Sequence, residues 1–124
     1  MLETKEQLAQ AVVSAFHVLD LWKLNAGEMR GVLGFPFGTQ LAEWRAGNLA
    51  SMPNDVVARL RHVAAIYKLL RNHPEGAGAW LRTPIAQFRN QTPLARMASG
   101  DAADLVAIHD YLKLHHGAET PPAM

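Results

Sequence analysis

Apolar residues recur along this chain at the three- and four-residue spacing of an α-helix, and no segment shows convincing strand-like alternation. One apolar stripe lies near the N-terminus, a second follows Pro53, and a third follows Gly100. The first stripe consists of Leu8, Val12, Ala15 or Phe16, and Leu19. The second consists of Val56, Leu60, Val63, Tyr67 and Leu70, and the third of Ala102, Leu105, Ile108 and Leu112. The helical spacing and the lack of strand-like alternation predict an all-α fold. Glycine or proline between the stripes indicates that they belong to separate helices.

Caps and helix breakers divide this pattern into separate helices. Asn25 and Glu28 have the spacing of a capping box, in which each side chain accepts from the other residue's backbone. Pro53 suits the first turn of a long helix, and His73-Pro74 breaks that helix. The expected helices lie at about residues 4–22, 25–34, 37–45, 53–72, 75–81, 84–89, 93–98 and 101–116.

The stretch Asn72–Gly78 is the predicted internal boundary, since a proline breaks the long helix there and two glycines weaken the next helix. Residues 1–71 are expected to form an N-terminal helix-turn-helix bundle. Residues 72–117 are expected to form a small C-terminal helical domain that is continuous with this bundle. Residues 118–124 are expected to be a flexible tail.

The composition argues against several classes of protein. The chain has no cysteine, so disulfides and thiolate metal sites are excluded. No apolar run reaches the roughly 18–20 residues that span a bilayer, and the N-terminus lacks the order of a signal peptide. A cytoplasmic protein without membrane contact is therefore expected. No nucleophile–base pair, glycine-rich phosphate loop or pair of carboxylates stands out, so neither an enzyme nor a cofactor is predicted.

Positive charge is concentrated in the middle of the chain. The formal net charge is only +1, but residues 21–71 carry seven lysines and arginines against three acids, a sum of +4. Residues 1–20 sum to −2 and residues 72–124 to −1. A basic segment of this kind is typical of a surface that binds phosphates. Because the excess is modest, a single copy is expected to bind DNA weakly.

Residues 24–45 have the spacing of a helix-turn-helix, with helices of about eight residues on either side of a turn that contains Gly34. Four apolar residues fall where the two helices would pack together, namely Met29, Leu33, Leu41 and Trp44. The outward face of the second helix then carries Gly38, Thr39, Gln40 and Glu43. In proteins of this kind the second helix enters the major groove of DNA.

The outward residues have chemistry suited to DNA. Gln40 can make paired hydrogen bonds to an adenine, and Thr39 can reach a base or a phosphate. Glu43 would repel phosphates unless it accepts from a cytosine amine. The expected phosphate contacts are Lys23, Arg30 and Arg45. The alternative is a helical hairpin with a solvated face, because short motifs of this kind are loosely specified.

The six histidines do not predict a metal site. His115 and His116 are adjacent, so their side chains diverge by about 100° on a helix. His109 and His116 lie about two turns apart, roughly 10 Å, which is too far to share an ion. Solvated or partner-facing histidines are therefore expected. Among the tryptophans, Trp44 is expected in the core, whereas Trp80 suits either the core or an interface.

Two segments of the chain resemble a known family. Residues 24–47 look like an Xre-type helix-turn-helix, from their leucine-polar-x-x-acid opening to their tryptophan-arginine close. The C-terminal half resembles the toxin-binding domain of the Xre/MbcA/ParS antitoxins. The residues that carry this second resemblance are Trp80-Leu81, Pro84, Thr92-Pro93-Leu94, Met97, Gly100, Asp104-Leu105 and Tyr111-Leu112. The loop Phe88-Arg89-Asn90-Gln91 departs from the family, because many relatives have a glycine there.

The resemblance implies an all-helical antitoxin of a type II toxin–antitoxin pair. Its implied partner is a RES-domain toxin that consumes NAD, and the C-terminal helical region of the antitoxin blocks the toxin's active site. It also implies a homodimer that represses the shared operon by binding operator DNA. The expected toxin contacts are Trp80, Arg82, Arg96, His109, Lys113 and His116. Two alternatives stay open: a stand-alone dimeric transcriptional regulator without a toxin partner, and a helical adaptor that has lost DNA binding.

Overall fold

The computed structural model describes residues 5–50, 52–73 and 76–117, and over these residues the fold is all-α, as predicted. The described part of the chain contains seven α-helices: α1 (Lys5–Leu21), α2 (Ala26–Val32), α3 (Gly38–Arg45), α4 (Asn54–Leu70), α5 (Ala77–Leu81), α6 (Pro93–Met97) and α7 (Ala102–Leu112). A 3₁₀ turn at Ala86–Phe88 lies between α5 and α6, and a π-helical turn at Lys113–Gly117 follows α7. The predicted tail, residues 118–124, lies outside the described residues.

Side-chain caps fix where several of these helices begin. The capping box predicted for α2 is confirmed, since the Glu28 N–H donates to Asn25 Oδ1 at 2.8 Å and the Asn25 N–H donates to Glu28 Oε1 at 2.9 Å. At α6, the Ala95 N–H donates to the Thr92 hydroxyl oxygen. Asp101 caps α7 in a similar way. Each cap satisfies a backbone N–H that has no partner inside its own helix.

Helix α4 lies at the centre of the fold, where it packs against both α1 and α7. Its apolar stripe is buried as predicted, although Tyr67 is only half-buried and its neighbour Ile66 is fully buried. Trp44, also predicted in the core, is 1% exposed. The boundary proposed at Asn72–Gly78 stays a prediction; residues before and after it contribute to the same apolar cluster.

One buried arginine on α4 ties distant segments together. Arg59 is 7% exposed, and its Nε donates to Asp55 Oδ2 at 2.8 Å. Its Nη1 donates to the Val32 carbonyl at 3.3 Å, at the end of α2. Its Nη2 donates to the Gly100 carbonyl at 2.9 Å, just before α7. In the sequence this arginine counts only as one charge of the basic middle segment, whereas the fold uses that charge internally.

Helix α2 also touches the C-terminal half directly, because it packs against α6. The contact is made possible by Gly31, which is buried in α2. A Cβ atom at this position would overlap the carbonyl oxygen of Ala98. Gly27, one turn earlier on the same helix, is exposed, and its nearest neighbour to an added Cβ is Asn25 Oδ1 at 3.4 Å. Substituting each glycine in turn therefore distinguishes the packing requirement at Gly31 from the general effect of glycine on helix propensity.

The substitution Gly31→Ala is expected to lower the free energy of unfolding by about 2–3 kcal/mol, since the new methyl group must displace backbone atoms of Ala98. The matched control Gly27→Ala is expected to change stability little, or to raise it by up to about 1 kcal/mol, because alanine favours helix more than glycine does. Urea unfolding followed by circular dichroism measures both values. Equal stability of the two variants would contradict the close α2–α6 contact.

Candidate functional site

Three of the four residues predicted on the outward face of α3 are exposed. Gly38, Thr39 and Glu43 are all exposed, as the sequence indicated. The turn before them carries two exposed aromatic residues, Phe35 at 57% and Phe37 at 75%. Phe35 adopts a left-handed backbone conformation, with φ of +62°, which is unusual for a bulky residue. The sequence indicated only a turn at this Phe-Pro-Phe segment and gave no sign of its exposed aromatic surface.

Gln40 does not point freely outward with these residues. It is half-buried, and its Oε1 accepts from the backbone N–H of Phe37 at 3.1 Å. The side chain therefore caps its own helix, in the way that an N3 glutamine does in a capping box. This corrects the expectation of an exposed Gln40, because the paired hydrogen bonds to adenine need the oxygen that the cap already uses.

The three cations expected to contact phosphates differ in their surroundings. Lys23 is exposed, and Arg30 is exposed with its Nε donating to the Pro36 carbonyl at 3.1 Å. Arg45, by contrast, forms an ion pair with Asp20 on α1, in which its Nη2 donates to both carboxylate oxygens, at 2.9 and 3.2 Å. Its guanidinium also lies over the ring of Phe16. The structure thus places Arg45 in a contact between α3 and α1, but the residue is exposed, and its contact with a phosphate stays a prediction.

Trp80 belongs to an aromatic cluster rather than to an open surface. It is 9% exposed, and its ring centroid lies 6.2 Å from that of Tyr111 on α7. Tyr111 also contacts Phe88, with ring centroids 5.1 Å apart, and stacks on His115 at 4.1 Å. The core alternative for Trp80 is therefore the one that the structure supports. Because its ring is buried, Trp80 offers little surface for the toxin contact that was expected of it.

Two arginines expected at the toxin surface are occupied within the fold. Arg82 donates from Nη2 to the carbonyl oxygens of Trp22 and Lys23, at 2.9 and 3.2 Å, beyond the end of α1. Arg96 forms an ion pair with Asp104 at 2.9 Å, and its guanidinium lies 5.1 Å from the ring centroid of Phe88. The partners of Arg82 are remote in sequence, and the partner of Arg96 lies across a loop. The sequence alone therefore does not reveal that either arginine has a partner.

His109 is half-buried between α7 and α4, and not solvated or partner-facing as the sequence suggested. Its Nδ1 lies 3.1 Å from Nδ1 of His62, so one ring must donate to the other. Burial lowers the pKa of His109, and the positive charges of Lys113 and His62 act in the same direction against Asp110. With His109 neutral, the pair forms a hydrogen-bonded link between the two helices.

The remaining expected toxin contacts, Lys113 and His116, lie in the π-helical turn that follows α7. Lys113 is exposed and forms an ion pair with Asp110 at 3.3 Å. The side chain of His116 lies outside the described part of the structure. Within residues 5–50, 52–73 and 76–117, no three histidine, aspartate or glutamate side chains are placed to hold a metal ion. Over the same residues, no helix combines the length and the apolarity that crossing a membrane requires.

Comparison with known proteins agrees with this helical C-terminal half. Residues 64–113 match the family model described as the antitoxin Xre/MbcA/ParS C-terminal toxin-binding domain. These residues run from the second half of α4 through α7, so the match includes Trp80, Phe88 and Tyr111 of the aromatic cluster. The class is that of the antitoxins of toxin–antitoxin pairs. Residues 64–113 of this chain belong to the Xre/MbcA/ParS antitoxin family, as the sequence resemblance predicted.

A similar protein covers more of the chain than this family model does. The uncharacterized protein y4oB of Sinorhizobium fredii (strain NBRC 101917 / NGR234) is 30% identical over 105 residues, which is 82% of this chain and 81% of the relative. No solved structure shows a significant match to the chain. The similarity therefore extends into the N-terminal half, while the functional description comes from the C-terminal domain.

The histidine pair predicts a pH dependence of stability. Because the pKa of His109 is lower in the folded state than its ordinary value of 6.5, the unfolded chain binds the extra proton more readily. The stabilisation is complete above that ordinary value and is lost as the pH falls through the folded-state pKa. We expect urea unfolding to show that wild type loses more stability than His109→Gln between about pH 7.5 and about pH 5.5.

The control for this measurement is His17→Gln, which removes an exposed histidine on α1. It should keep the wild-type pH dependence. A loss of pH dependence in the His17 variant, or its full retention in the His109 variant, would contradict the assignment to the α4–α7 pair.

Proposed function

We propose that this antitoxin neutralises a RES-domain toxin that consumes NAD, by covering the toxin's active site with the surface built on α5–α7. The observation that supports this proposal is the match of residues 64–113 to a toxin-binding domain. That domain has its apolar residues buried against α4, so its exposed residues are left for a partner. The proposed mechanism is steric: the antitoxin is not an enzyme and needs no cofactor.

We infer further that the protein represses its own operon by binding operator DNA through α2 and α3. Support comes from the basic middle of the chain and from the exposure of Gly38 and Thr39 at the start of α3. Two copies related by a two-fold axis would read two half-sites on the DNA. Val13 and Leu21 on α1 are 49% and 53% exposed, and they are the apolar residues that we assign to the dimer surface.

Co-expression with the product of the neighbouring gene tests the first half of this proposal. We expect the neighbouring protein alone to deplete cellular NAD, and co-expression of this chain to restore NAD to the level of cells that carry neither. Co-purification of the two proteins is expected as well. An unchanged NAD loss despite a stable, folded antitoxin would contradict neutralisation. Promoter binding without any such complex would support the stand-alone regulator instead.

The substitution Thr39→Glu tests the DNA-binding half. A carboxylate at this exposed position would face the phosphates and is expected to weaken promoter binding at least about tenfold. It should not weaken α3 itself, because an acid in the first turn of a helix interacts favourably with the helix dipole. Fluorescence anisotropy with a labelled promoter fragment measures the affinity.

The matched control is Gln87→Glu, which adds the same charge at an exposed position between α5 and α6. We expect it to bind the promoter within about twofold of wild type, because it changes the net charge without approaching α3. If both variants lose the same affinity, the effect comes from net charge, and α3 is not the reading helix.

A further inference from the structure

The segment from residue 76 to residue 100 carries three arginines and no acidic residue. Two of these arginines are used inside the fold: Arg82 binds carbonyl oxygens beyond α1, and Arg96 pairs with Asp104. Arg89 is different. It is exposed, and among the described residues it has neither a hydrogen bond from its side chain nor an ion pair. Residues 76–100 therefore present one guanidinium whose charge the fold does not use.

Arg89 stands at the tip of a tight turn with an unusual backbone. Arg89 and Asn90 both have positive φ, at +57° and +64°, in the left-handed region. The Gln91 N–H donates to the Phe88 carbonyl at 3.0 Å, and Ile85 pairs with Gln91 across the base of the turn. Two consecutive left-handed residues favour glycine or asparagine, so an arginine at the first position is strained.

The base of the turn is held firmly. Phe88, which precedes Arg89, is 8% exposed and packs on Tyr111. The guanidinium of Arg96 lies over the same Phe88 ring, 5.1 Å from its centroid. The backbone of Arg89 is therefore fixed relative to α6 and α7 before any partner binds. A side chain presented in this way loses less conformational entropy on binding than one on a loose loop.

We propose that Arg89 contacts the toxin and pairs there with a carboxylate of the toxin surface. Arginine is enriched among residues that dominate binding energy, and its planar guanidinium matches a carboxylate in two parallel hydrogen bonds. The alternative partner is a phosphate of NAD bound in the toxin's pocket. We favour the carboxylate, because a pocket that binds a dinucleotide carries positive charge of its own, and an empty pocket would repel an arginine. The inference rests on the proposed toxin-binding function and names one contact within it.

The test compares two glycine substitutions in the same turn. Arg89→Gly removes the guanidinium, Asn90→Gly keeps it, and glycine relieves the left-handed strain at either position. Both variants should therefore fold with a melting temperature equal to or above that of wild type. The probe is the purified product of the neighbouring gene, with binding measured by isothermal titration calorimetry. We expect Arg89→Gly to weaken the complex at least about tenfold and Asn90→Gly to stay within about twofold.

Salt dependence adds a second readout. Because an ion pair is screened by salt, raising the salt concentration should weaken the wild-type complex more than the Arg89→Gly complex. Equal affinities of the two glycine variants would overturn the proposal. A loss of affinity in Arg89→Gly that appears only when NAD is present would also overturn it, since Arg89 would then be binding a nucleotide phosphate. If the wild-type chain does not bind the product of the neighbouring gene at all, the proposed function itself is contradicted, and the Arg89 contact with it.

Discussion

The buried guanidinium of Arg59 is the interaction on which the arrangement of the other elements depends. An unpaired charge inside a protein is strongly destabilising, so this arginine needs its acceptors in place. The acceptors are Asp55 and the carbonyl oxygens of Val32 and Gly100, which come from three separate parts of the chain. The requirement acts in both directions, because these carbonyls also lose a charged donor if the arginine moves. Helix α4 thus fixes where α2 ends and where α7 begins.

Two further contacts join the proposed DNA-binding and toxin-binding regions. Gly31 lets α2 approach the backbone at Ala98, and Arg82 binds the carbonyls that follow α1. Both contacts run between elements that precede and elements that follow the long helix α4. A displacement of α5–α7 relative to α2 would break hydrogen bonds or separate a close-packed contact. If toxin and operator bind as proposed, they bind to surfaces that share one core, and a change forced at one surface is carried by these contacts.

Helices could be predicted from the sequence because their signals are local. Apolar spacing, the Asn25–Glu28 capping box and the Thr92-Pro93 start all act within one or two turns, and each is present in the structure. The site could be predicted less well because its partners are remote. His62 and His109 are 47 residues apart, and Arg45 and Asp20 are 25 apart. No spacing rule reveals such pairs before the fold brings them together. The expectation for Gln40 was wrong for a different reason. Periodicity placed Gln40 on an outward face, whereas its side-chain oxygen accepts from the Phe37 N–H and caps the start of α3.

The ion pair between Arg45 and Asp20 also changes the electrostatic argument for DNA binding. The sum of +4 for residues 21–71 leaves out Asp20, the residue that lies against Arg45 in space. Counting this partner gives +4 − 1 = +3, and one of the remaining charges is the buried Arg59. Affinity for DNA depends steeply on the number of phosphates neutralised. If this surface binds operator DNA as proposed, so few available cations favour binding by two linked copies, because linking two weak sites raises the effective affinity without adding contacts to either.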